Sequence, residues 1–290
     1  MVIRDPYAVC FDLARAHYEN FPVASRLLPA GMRRHVAAVY AFARVADDFA
    51  DEGEFAPDAR HAFLSRWESH LREAAAGRHV QAPPDEAAIF AALAQTMAAC
   101  RLPLDPFTDL LSAFHQDVDV TRYASWADLL DYCRRSANPV GRLVLRISGR
   151  DDPALDASSD AFCTALQLTN FWQDLARDWK NGRVYLPAEL LEAHGADERA
   201  IAAGAMTPPL RAALGDAAAR TRELFARGRL VCERVRGRLG VELRATWLGG
   251  TRILDRLDRA GFDVFQARPS LGVGDAVRLA PRLAWWSARA

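Results

Sequence analysis

Lysine is almost absent from this chain. All of its 37 basic residues are arginine except Lys180, which, with the abundant alanine, points to a GC-rich genome rather than to a function. Net charge is missing too. The 37 basic side chains meet 37 acidic ones, and a nucleic-acid binder would carry a basic excess on its domain. Cysteine is sparse, odd in number and scattered, at Cys10, Cys100, Cys133, Cys163 and Cys232. With no CxxC pair, a disulfide framework and a zinc site are both unsupported, and a reducing cytoplasm is the expected location. Long apolar runs are lacking: nothing approaches the ~18 uncharged residues of a membrane span. The opening "MVIRDPYAVCFDLARAHYENF" interrupts its apolar residues with charge and has no signal-peptide core. A soluble chain, or at most a peripheral one, is expected. Strand patterns, repeats and low-complexity linkers are also missing, and "GVGDAV" lacks the third glycine of a dinucleotide fingerprint.

What is present is helical periodicity. "RRHVAAVYAFARVADDFA" puts Val36, Val39, Tyr40, Ala43 and Ala46 on one stripe, and "DAFCTALQLTNFWQDL" does the same with Phe162, Leu166, Thr169 and Trp172. Breakers separate the periodic segments: "LPAG", "APPD", "LPLDP", "DDP", "LP" and "TPP" each place a proline near a helix start, where its missing N–H costs nothing. "YCRRSANPVGRLVL" carries Pro139 inside an apolar helical pattern and predicts a break there. The 290 residues therefore predict one all-α domain spanning 1–290.

Two acidic stretches stand out against this apolar background. "RVADDFAD" brings Asp47, Asp48 and Asp51 together, and "NFWQDLARD" places Asp174 and Asp178 at the same spacing of four. Residues four apart share a helix face, so each pair sets like charges one turn apart, at a cost of a few tenths of a kcal/mol or more when partly buried. Magnesium would offset that cost. It is a hard cation that favours carboxylate oxygen and is commonly completed by substrate phosphates and water. Arg44 precedes one pair, while Arg177, Arg183 and Tyr185 accompany the other, and guanidinium suits phosphate oxygen. The bland alternative is a pair of solvated faces, which the apolar flanks "VYAFARVA" and "LQLTNFW" oppose. On facing helices, two such pairs would make a cavity for a diphosphate.

"YAFARVADDFAD" and "NFWQDLARDWKNGRVYLP" resemble the two signatures of the squalene/phytoene synthase family, and the resemblance runs from about residue 10 to residue 265. It implies an all-α isoprenoid-synthase bundle around a central cavity, with prenyl diphosphates bound over Mg²⁺. By position, Asp47, Asp51, Asp174 and Asp178 would hold the metal. Arg44, Gln167, Asn170, Arg177, Arg183 and Tyr185 would order the diphosphate. His17 and Ser25, in "HYENFPVAS", would meet the leaving group, and Tyr132 would face the carbocation.

"HYENFPVAS", "SANPVG" and "LGGTRIL" are similar to the hopanoid branch of that family. The implied reaction takes presqualene diphosphate to hydroxysqualene by ionisation, rearrangement and water capture, in functional partnership with a presqualene diphosphate synthase. Asn138, together with the room expected at Gly249 or Gly250, would sit where water is held. Presqualene diphosphate, squalene or phytoene synthesis are the alternatives within the family. A nucleotide pyrophosphohydrolase, or a non-catalytic relative that binds or assembles, stands outside it. Because its substrates would be long isoprenoids, contact with the inner membrane is expected through the arginine-rich stretch 220–244 or through Trp285 and Trp286.

Overall fold

Proline marks where the helices begin. In a computed structural model that describes residues 5–16 and 28–286, α1 is Pro6–Ala16, α2 Ala30–Asp51, α3 Pro57–Ala75, α4 Pro84–Cys100 and α5 Asp105–Asp119. Then follow α6 (Trp126–Ser136), α7 (Asn138–Ile147), α8 (Pro153–Lys180), α9 (Ala188–Ala193), α10 (Glu198–Ala202), α11 (Pro208–Arg227), α12 (Arg229–Arg234), α13 (Gly237–Arg259) and α14 (Val273–Ala284). Each of the six breakers read from the sequence falls at or just before a helix start, as at Pro84, Pro153 and Pro208. Thr207 caps α11 by accepting from the Leu210 N–H. The all-α expectation holds: no strand occurs among the described residues, and a single isolated bridge joins Arg122 to Val184.

The described residues gather into two compact units. Of these residues, the first takes in those up to Asp119 together with Pro139–Asp152; the second takes in Val120–Asn138 and those from Pro153 onward. In the first unit α2 is central, packed against α1, α3, α4 and α5. Small residues permit that crowding, since Ala37, Ala38, Ala41 and Ala46 are fully buried. Around them Phe42 meets Trp67, Phe90 and Phe107 at ring separations of 6.0, 6.3 and 5.4 Å. The Trp67 indole donates to the Phe42 carbonyl at 3.2 Å, which fastens α3 to α2 one turn before the first acidic pair.

In the second unit α8 plays the same part, with α6, α10, α11, α12 and α13 packed against it. Trp172 is fully buried and donates to Thr221 of α11 at 2.9 Å. The predicted break near Pro139 is present as well: α6 stops at Ser136 and α7 starts at Asn138. The expected opening at the Gly249–Gly250 pair is not found. A Cβ at Gly250 would lie 2.6 Å from the Phe225 ring and 2.9 Å from Leu166, and one at Gly249 would lie 3.1 Å from Leu271. Glycine there lets α13 close on its neighbours, so the space is filled by packing.

Candidate active site

The first acidic motif occupies the C-terminal end of α2. Asp47 and Asp48 are half-buried, and Asp51, the last residue of the helix, is exposed. Arg44 lies one turn earlier. Its guanidinium reaches Asp48 at 2.5 Å, Glu52 at 2.6 Å and Asp47 at 3.7 Å. A helix end leaves carbonyls without intrahelical partners, and this one has a dedicated donor, Arg60 of α3, that the sequence reading missed. Arg60 donates to the carbonyls of Phe49, Ala50, Glu52, Gly53 and Phe55 at 2.6–3.2 Å. Gly53 turns the chain with φ of 79°, the left-handed conformation that glycine adopts without strain.

The second motif lies near the C-terminal end of α8, whose last residue, Lys180, is exposed. Asp174 and Asp178 face the same way and influence each other. Burial, and then the negative charge of Asp174, raise the Asp178 carboxyl to about 7, against the opposing pull of Arg183, Arg177 and Arg268. Arg177 stands 3.7 Å from Asp174. Arg183 follows the turn after α8, where its N–H donates to the Asp178 carbonyl at 2.8 Å. Arg122 closes that turn, donating to the Gly182 carbonyl at 2.6 Å and stacking over Trp179 at 5.5 Å. A residue outside the motif makes the strongest contact. Arg268 forks onto Asp174, with Nε to Oδ1 at 2.5 Å and Nη2 to Oδ2 at 2.9 Å.

Aromatic side chains gather close by in the same unit. Tyr185 stacks on Phe171 with centroids 3.7 Å apart, and Tyr132 stands 6.3 Å from Phe171, 6.1 Å from Tyr185 and 5.5 Å from Tyr123. Tyr132 and Tyr185 are buried, Gln167 is half-buried and Asn170 is exposed. Asn138 is buried, its side-chain oxygen accepting from the Thr164 hydroxyl at 2.9 Å. His17 and Ser25 lie outside the described residues.

These donors fit a hard divalent cation. They are carboxylate oxygens in closely spaced pairs, and on α8 the Asp178 carboxyl, buried beside the charge of Asp174, resists ionising, a resistance that a bound cation would relieve. Among the described residues no three carboxylate, imidazole or thiol groups converge on one point. A cation on either motif would therefore complete its shell with water or with oxygens of a ligand.

The squalene/phytoene synthase family model matches residues 14–275. The chain belongs to that family. Hydroxysqualene synthase from Rhodopseudomonas palustris is 36% identical over 82% of this chain and 79% of its own length. Phytoene synthase from Thermus thermophilus is 32% identical over 92% of this chain and 89% of its own. Among solved structures, squalene synthase HpnC from Alicyclobacillus acidocaldarius superposes with a TM-score of 0.82 at 41% identity, covering 89% of this chain and 94% of that one.

Proposed function

We propose that this family member converts presqualene diphosphate to hydroxysqualene. The carrying observation is the α8 pair Asp174–Asp178, set in the same unit as the aromatic cluster of Tyr123, Tyr132, Phe171 and Tyr185. Acidic oxygen for a metal–diphosphate and aromatic faces for a carbocation are the two requirements of an ionising isoprenoid enzyme. Similarity to hydroxysqualene synthases at 36% and 38% identity supports the branch.

Asp47, Asp51, Asp174 and Asp178 would hold Mg²⁺. When bound, it supplies positive charge that stabilises the departing diphosphate. Arg44, Arg177 and Arg183 would orient the diphosphate oxygens, with Gln167, Asn170 and the Tyr185 hydroxyl as further polar contacts and His17 and Ser25 at the leaving-group end. Tyr132 would offer its ring face to the cation. Asn138 would present its amide N–H groups to the captured water, since its oxygen is already engaged by Thr164.

The deciding experiment supplies presqualene diphosphate and Mg²⁺ in ¹⁸O-water, with and without NADPH. A C30 alcohol carrying the label, formed equally in both, is the expected product. Whichever nucleophile is held beside the cation wins, because a positioned group acts at an effective concentration far above bulk. Squalene formed only with NADPH would refute water capture, and C40 phytoene made from shorter diphosphates would assign the phytoene branch. We further propose that the chain meets its apolar substrate at a membrane surface through α14 and the residue that follows it, where Val277 is 68% and Trp285 79% exposed beside Arg278 and Arg282.

A further inference from the structure

Asp174 would be a metal ligand on the reading above, yet both of its oxygens already face a cation. Arg268 occupies them as a bidentate fork, at 2.5 and 2.9 Å. The segment that carries Arg268 is tied down at successive residues. The Gln173 side chain donates to the Pro269 carbonyl, Arg256 donates to the Ser270 carbonyl at 2.7 Å, and the Gly272 N–H donates to Asp275 at 2.9 Å. Asp275 is itself held by Arg252 at 2.9 Å and Arg256 at 2.5 Å. Leu271 sits against Gly249. The fork is thus a built contact within the strap that runs from α13 to α14.

A guanidinium fork and a divalent ion compete for the same carboxylate. The fork takes the syn lone pair of each oxygen, the side from which an ion bound by both oxygens would also approach. Magnesium needs an oxygen within about 2.1 Å, and two cations that close repel each other. We propose that Arg268 is a built-in counter-cation that positions Asp174 in the metal-free protein and exchanges with the divalent ion when it binds. Loading the metal then opens the Arg268–Asp174 contact and loosens residues 266–272. The proposal rests on Asp174 being a metal ligand, and it makes Arg268 a positioning residue that acts through Asp174.

The test is Mn²⁺ binding to the full chain, followed by electron paramagnetic resonance of the free ion, for wild type, Arg268→Gln and Arg268→Lys. Amide hydrogen exchange across residues 266–272 is measured alongside. With Mn²⁺ alone, both variants should bind at least about threefold more tightly than wild type. Lysine is the informative case, because it keeps the charge but cannot form the fork. In wild type, exchange across the strap should accelerate on Mn²⁺ loading; in both variants it should be fast already. Arg268→Lys binding like wild type, or a strap indifferent to Mn²⁺, would overturn the exchange while leaving the metal site standing. If wild type takes up no Mn²⁺ even with inorganic pyrophosphate, the metal reading fails and this inference fails with it. Should Arg268→Gln not fold, Arg268→Lys decides by the same criteria.

Discussion

Asp178 is a carboxylate whose chemistry is strongly altered by its surroundings. Its carboxyl rises to about 7 because burial opposes the charged form and Asp174 repels it. A raised carboxyl means that the folded chain holds this proton more tightly than the unfolded chain does. The stability it contributes is complete below the unfolded value, near pH 4, and is lost as pH rises through about 7. Metal-free wild type should therefore melt at progressively lower temperature between pH 4 and pH 8, and Asp178→Asn should flatten that slope and melt higher than wild type at pH 8. Parallel curves for the two proteins would dismiss the shift. For catalysis, Asp47→Asn or Asp174→Asn should lower turnover at least about a hundredfold, since both would help stabilise the leaving group. Circular dichroism should remain helical in each. At this scale the sequence was informative about residue types and poor about partners. The spacing of Asp174 and Asp178 was readable because helix geometry is local. Arg268 was not, because it lies 94 positions from the carboxylate it grips.

At the scale of elements, both acidic helices have their exposed ends fastened by an arginine from elsewhere in the chain. Arg60 serves α2, and Arg122 serves the turn after α8. Arg60→Ala should cost about 1–2 kcal/mol, as expected for losing charge-assisted bonds at a partly exposed site. It should also speed amide exchange at Asp51, Glu52 and Gly53. An unchanged melting temperature together with unchanged exchange would show that the end of α2 holds itself. Helix starts were legible from the sequence because proline at the first turn acts within a few residues. The glycine pair in α13 was misread for the opposite reason: sequence cannot say whether the space beside a glycine is empty or filled. Phe225 and Leu166 fill it, so Gly250→Ala should destabilise the fold by about 1–3 kcal/mol through overpacking.

Four of the eight arginines in the stretch expected as a membrane surface are engaged with neighbours. Arg220 pairs with Asp216, Arg222 with Asp258, Arg229 with Glu233, and Arg244 donates to the Cys232 carbonyl. Trp286 lies beneath Arg229 at 4.8 Å, and Trp285 is exposed. Vesicle co-sedimentation should therefore weaken in the double variant Val277→Ser, Trp285→Ser, and persist in Arg222→Gln. The reverse pattern would move the contact away from α14.

For the molecule as a whole, charge balance and the scattering of its acidic groups set how it responds to ligands. No convergent cage of three ligating side chains exists among the described residues, so metal and diphosphate should stabilise the fold together far more than either does alone. A ligand at 100 times its dissociation constant adds about 2.7 kcal/mol. Thermal shifts with Mg²⁺, with pyrophosphate and with both should show that synergy, and simple additivity would argue against a shared site. One further property follows from composition and placement together. The only side-chain amine in the chain is that of Lys180, exposed at the last position of α8 and two residues beyond Asp178. Amine-directed dyes, which decorate most proteins at many points, would attach here at that one side chain and the α-amino group. The fluorophore on Lys180 would report from beside the second acidic motif with no mutation introduced.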